Sequence, residues 1–210
     1  MTEFEEFILV LIMVLVIVIG PLLLFIAAAL RDSNQTYDPL YKPRSFHITG
    51  KTYFLNGDCL FAYFLIGIAV FLIYVAITAK ITDSTPHWQV FTALSLVALM
   101  MGALAYYLLY LNINYWRHTK DTTLSFDPGH KTVTVHTPEQ KYVIREGDIE
   151  QVDLVSNFHT KLYYGYFTVK LKGGNELILT DNMPGTGAFF QYFRNTPHYY
   201  RHYQRFPIIK

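Results

Sequence analysis

Phe7–Leu30 reads FILVLIMVLVIVIGPLLLFIAAAL, apolar from end to end and without a charge. At about 1.5 Å of rise per residue, a helix of this length exceeds the ~30 Å hydrocarbon core of a bilayer. Gly20 and Pro21 interrupt it near the middle, where lipid tolerates a kink. A cleaved secretory signal would instead need a basic leader, a shorter apolar core and a small-residue cleavage site. Met1–Glu6 carries Glu3, Glu5 and Glu6 and no base. The run is therefore expected to persist as a transmembrane helix.

Two more charge-free runs follow, Cys59–Ala79 and Trp88–Leu111. The link between them, Lys80–His87, is short enough to make them antiparallel neighbours, a helical hairpin. The expected membrane region is thus residues 1–116, with three transmembrane helices at about 7–30, 59–79 and 88–111. Ala98, Gly102 and Ala105 put small residues on one side of the third helix, which makes Ala98 and Gly102 candidates for close helix packing. None of the three runs contains Asp, Glu, Lys, Arg or His, which argues against an autonomous transporter or proton pump. An oligomeric pore stays open.

Lys and Arg are asymmetric across the spans. The connection Arg31–Asp58 holds Arg31, Lys42, Arg44 and Lys51, and the segment after the third run opens with Arg117 and Lys120. The other side has only Lys80. The positive-inside rule then puts the N-terminus outside and everything after Trp116 in the cytoplasm. This implies a multi-pass inner-membrane protein whose first partner is the lipid bilayer.

Composition narrows the function classes. Of 210 residues, 52% are hydrophobic, the mean hydropathy is +0.22 and the formal net charge is +1. No bulk basic field speaks for nucleic acid. A single cysteine, Cys59, excludes an intrachain disulfide and reads as a small apolar filler at the start of the second run, with acylation near the membrane surface as the alternative. In the connection, Pro39 and Pro43 oppose a helix, and Phe46–Leu55 reads as two short strands about Thr49-Gly50.

From Thr122 the periodicity changes. Strands are expected at Thr123–Asp127, Lys131–His136, Lys141–Arg145, Asp148–Val155, Leu162–Leu171 and Glu176–Thr180, with turns at Pro128-Gly129, Glu146-Gly147 and Gly173-Gly174-Asn175. Phe189, Phe190 and Phe193 then share one face of a short helix that ends before Pro197 and can cover an open barrel end. The expected fold is an α-helical membrane region followed by a small antiparallel β domain over 117–210.

The strand–turn–strand, the segment Tyr142-Val-Ile-Arg-Glu-Gly-Asp-Ile149, the following hairpin and the single terminal helix resemble the bacterial pleckstrin-homology-like domains. That family ends a strand in a pattern like aromatic-x-aromatic-x-x-Asp-Ile, with the Ile as a core anchor. Tyr142 and Asp148-Ile149 correspond to its first aromatic and its Asp-Ile, while the second aromatic is absent and Arg145-Glu146-Gly147 intervenes. The resemblance covers about residues 122–196. It implies a PH-like barrel closed by one helix, often fused behind transmembrane helices, and brings no catalytic motif.

No constellation of residues names a reaction. The eight histidines form no HExxH, and His198 and His202 lie four apart without a nearby acid. Gly173-Gly174 lacks the Lys-Ser/Thr sequel of a phosphate loop, and no GxSxG elbow occurs. Asp127, Asp148, Glu150 and Asp153 read as a solvated sheet edge. No enzyme, metal or cofactor is expected. Lys161, Lys170 and Lys172 are candidates for a lipid headgroup, and Tyr163, Tyr164, Tyr166, Arg201 and Arg205 for a protein contact, since aromatics and Arg favour such contacts. The tail PHYYRHYQRFPIIK, Pro197–Lys210, is aromatic, basic and free of acids. It suits an anionic leaflet or a partner, or it packs on the domain.

The reading that follows is a non-enzymatic scaffold or accessory subunit with a protein partner or a second copy. The alternatives are a lipid-sensing regulator and an immunity protein against a membrane-acting toxin.

Overall fold

The computed structural model describes residues 20, 43–78, 87–157, 163–193 and 198–210. Apart from Gly20, the first apolar run lies outside these residues, so two of the three expected spans are described. The chain divides into two compact units, residues 1–35 with 54–112 and residues 36–53 with 113–210. Part of the connection after the first run thus groups with the β unit.

The first unit holds α2 (Gly57–Thr78) and most of α3 (His87–Thr119), of 22 and 33 residues. Both are long and apolar enough to cross a membrane. Asn56 caps α2, its Oδ1 accepting the Cys59 N–H at 2.8 Å. The Asn56 amide also donates to Asn112 Oδ1 at 3.4 Å, and buried Asn112 donates to the Leu108 carbonyl at 2.9 Å. Buried small residues recur every seventh position, Ala62, Ala69 and Ala76 on α2 and Ala98 and Ala105 on α3, with Asn112 continuing the latter series. That spacing is the left-handed packing period of neighbouring helices, and small side chains let backbones approach. Large apolar side chains such as Val70, Ile77, Leu96, Leu99 and Met100 stay exposed. α3 continues past the expected end at Leu111, its Asn112 and Thr119 side chains bonding back within the helix, Thr119 Oγ1 donating to the Tyr115 carbonyl at 2.9 Å.

The second unit is built on two four-stranded sheets. The first, in order β1-β2-β3-β4, comprises β1 (Arg44–Phe46), β2 (Thr123–Asp127), β3 (Thr132–His136) and β4 (Lys141–Arg145), all antiparallel. The second, in order β7-β6-β5-β8, comprises β5 (Ile149–Ser156), β6 (Gly165–Leu171), β7 (Glu176–Thr180) and β8 (Tyr199–Tyr203). Alternation decides what is buried: Leu124 and Phe126 on β2, and Phe167, Val169 and Leu171 on β6, turn into one core. Ile149, the expected anchor, is in that core, and the intervening Arg145–Asp148 is the tight turn between β4 and β5, with Asp148 Oδ2 accepting the Arg145 N–H at 2.8 Å. α4 (Thr186–Tyr192) leads into Phe193, and both Phe189 and Phe193 are buried against the core. Gly185, at φ 90°, starts this helix where a Cβ would lie 2.8 Å from the Phe46 ring.

Two local expectations need correction. Of the two strands foreseen in Phe46–Leu55, the first is β1, slightly earlier, and the second is a helix, α1 (Gly50–Phe54). Thr49 Oγ1 accepts the Thr52 N–H at 3.4 Å, and the helical turn puts Tyr53 against Trp116, ring centroids 4.9 Å apart. The tail is neither free nor irregular throughout: it supplies β8, which lies parallel to β5.

Candidate functional site

β8 is an edge strand, and all five of its residues are exposed. It runs parallel to β5, with the Val152 N–H donating to the His198 carbonyl at 2.9 Å and the Gln204 N–H to the Ser156 carbonyl at 3.0 Å. In a parallel pair, alternate residues bond to the neighbour. The even-numbered residues of β8 therefore face β5, and the backbone groups of Tyr199, Arg201 and Tyr203 point to the outer edge, which no described strand covers.

That edge is aromatic and basic. Tyr199, Tyr200 and Tyr203 are 43%, 49% and 50% exposed, and Phe206 follows with similar exposure. The Arg201 guanidinium lies 5.7 Å from the centroid of the Tyr199 ring, and that of Arg205 lies 5.8 Å from the Phe206 ring. Beyond the strand the chain is pinned. Tyr115 donates its hydroxyl hydrogen to the Pro207 carbonyl at 2.8 Å, and Asn114 exchanges two hydrogen bonds with the Ile209 backbone at 3.1 and 2.9 Å.

Beside β8, Asp153 gathers three partners. Gln151 donates to both carboxylate oxygens at 2.8 Å, and Lys170 Nζ and His202 Nε2 each lie at 3.3 Å. Burial pushes this carboxyl up, but the hydrogen bonds from Gln151, His202 and Lys170 outweigh it, leaving it below the ordinary carboxylate range. Asp153 is thus a brace between β5, β6 and β8, where the sequence suggested a solvated edge.

The residues singled out from the sequence are scattered. Tyr163 is 46% exposed and belongs to the open surface. Tyr164 does not, a correction: it is 2% exposed, and its ring lies 6.2 Å from that of Tyr115. Tyr166, half-buried, lies 6.3 Å from the same ring. Lys170 is engaged by Asp153, Lys172 is exposed in the β6–β7 turn, and Lys161 lies outside the described residues. On α3, Ala98 is buried, while Gly102 lines an apolar groove of about 460 Å³ with Ala69, Ile73, Ser95, Leu99 and Ala103. Nothing lies within 4 Å of the Cβ that Gly102 lacks, so it brings no described backbone close. Among the described residues no group of three or more His, Cys, Asp or Glu could hold a metal ion.

Sequence reasoning missed β8 as a strand and Asn114 and Tyr115 as its anchors. The run Tyr-Tyr-Arg-His-Tyr has high strand propensity, which was the available signal.

Neither the curated proteins nor the solved structures contain a match to the chain. A family model described as PH domain matches residues 51–183, more than half of the chain, taking in both long helices as well as β2 to β7. With the two sheets, the terminal helix α4 and this match, the chain belongs to the PH-domain family.

Proposed function

We propose that this protein is a non-enzymatic scaffold or accessory subunit, held in a bacterial inner membrane by its apolar helices, whose PH domain docks a protein partner on the cytoplasmic side. The observation that carries the reading is the exposed edge strand β8, whose outer edge no described strand covers and which presents Tyr199 and Arg201, followed by exposed Tyr203, Arg205 and Phe206. A partner strand can add to such an edge through main-chain hydrogen bonds, while aromatic and Arg side chains supply contact energy. The asymmetry of Lys and Arg around the apolar runs supports the orientation. The same arginines favour an anionic leaflet as a second reading.

The experiment is purification of the tagged full chain from its native membrane in mild detergent, followed by mass spectrometry. A stoichiometric protein retained by the wild type and lost from Arg201→Glu/Arg205→Glu supports docking on β8. A single-protein preparation that binds anionic vesicles in a salt-dependent way moves the function to lipid sensing.

A further inference from the structure

Three stretches of the second unit meet on the last part of α3. The charge-free run of that helix ends at Leu111. Asn114 and Arg117 follow about 5 and 9 Å further along the axis, at 1.5 Å of rise per residue. For a helix that crosses a bilayer, this is the depth of the headgroup layer, about 5–8 Å thick beside a ~30 Å hydrocarbon core. The tail is pinned at this level, Asn114 holding the Ile209 backbone through two hydrogen bonds and the Tyr115 hydroxyl donating to the Pro207 carbonyl. α1 packs there as well. The Tyr53 ring lies 4.9 Å from that of Trp116, and a Cβ on Gly50 would lie 3.4 Å from the same indole.

Each stretch carries a base next to its contact: Lys51 follows Gly50, Arg117 follows Trp116, and Lys210 follows Ile209, and all three are exposed. Ile113, 44% exposed, precedes Arg117 by four residues and shares its helix face. An apolar side chain followed one turn later by a base suits the passage from hydrocarbon to phosphate. Charge in the β unit is segregated to match. The described stretches 43–53, 113–118 and 198–210 hold six Lys and Arg and no Asp or Glu. The remaining described residues of the unit, 119–157 and 163–193, hold nine Asp and Glu against six Lys and Arg. The barrel itself is therefore weakly acidic, and the unit's positive charge lies in the stretches that join α3.

We propose that Lys51, Arg117 and Lys210 form a collar that takes the phosphate groups of anionic phospholipids in the leaflet from which α3 emerges, and so seats the β unit on the membrane surface. Bases this close to an anionic leaflet each favour it by roughly fivefold. The inference rests on the membrane-anchored reading and leaves the β8 edge free for a protein.

The test reconstitutes the full chain in phosphatidylcholine vesicles. Electron spin resonance then compares how spin-labelled phosphatidylglycerol and spin-labelled phosphatidylcholine associate with the protein boundary. Phosphatidylglycerol is favoured by about threefold or more at low salt, and the preference fades towards parity in about 1 M salt. Lys51→Gln/Arg117→Gln/Lys210→Gln brings it near parity. Lys131→Gln/Lys141→Gln/Lys172→Gln, which removes three exposed bases from the barrel, leaves it in place. All six positions are exposed, so both variants keep nearly the wild-type melting temperature. Parity in the wild type, or equal loss from the two variants, overturns the collar. So does a collar variant that keeps the lipid preference and instead loses a copurifying acidic protein. A chain that does not float with neutral vesicles overturns the membrane reading and the collar with it, whereas a floating chain at parity overturns the collar alone.

Discussion

Asp181 makes the stability of the β unit depend on pH in a direction unusual for a carboxylate. Its folded value of about 7 lies above the ordinary 3.8 because burial disfavours the charged form. The folded chain therefore holds this proton more tightly than the unfolded chain does. Its contribution is complete below about pH 4, declines as pH rises through the window from 3.8 to about 7, and stays lost above. At 1.36 kcal/mol per pH unit the full window is worth at most about 4 kcal/mol. Residual solvent contact screens the charge, so about 2 kcal/mol is the working figure. Asp181→Asn keeps the shape and removes the charge. The variant should match the wild type near pH 4 and exceed it near pH 8 by about 2 kcal/mol, or roughly 4–8 °C in Tm. Thermal unfolding of both proteins in the same detergent across that range measures the difference. Parallel Tm curves for the two proteins would refute the assignment of a buried carboxyl.

Other consequences are independent of this group. Asn114→Ala removes both hydrogen bonds to the Ile209 backbone, so stability should fall by about 1–3 kcal/mol and trypsin should cut faster at Arg201 and Arg205. Gly185→Ala forces a side chain into a left-handed backbone against the Phe46 ring and should cost about 1–3 kcal/mol in denaturant melts, whereas Gly187→Ala, with open space around it, should cost little. With Cys59→Ala as background, Lys210→Cys should resist an impermeant maleimide in intact cells and react after lysis. Labelling in intact cells would reverse the proposed orientation.

The strands were legible wherever one face is buried and the other wet. Thr123–Asp127, Lys141–Arg145 and Glu176–Thr180 lie where alternation and turn residues put them, because period-two patterning and Gly turns act locally. The terminal helix was readable from its phenylalanine spacing. β8 was not, because a strand exposed on every residue carries no alternation. β1 and α1 were confused because a three-residue strand followed by a single helical turn is decided by distant groups, Phe126 and Trp116. Tyr164 misled for a related reason: an aromatic cluster reads alike whether it faces solvent or Tyr115. Ser156 pairs with Gly165 and the Asp181 N–H donates to the Gly165 carbonyl, a neighbourhood across three strands that sequence spacing does not show.

The most direct measurement is photo-crosslinking in native membranes from a photoreactive residue at position 203 on β8, compared with position 143, an exposed site on β4. The docking account predicts a discrete protein adduct from position 203 and none from position 143. No protein adduct from position 203, or adducts to lipid alone, would contradict it.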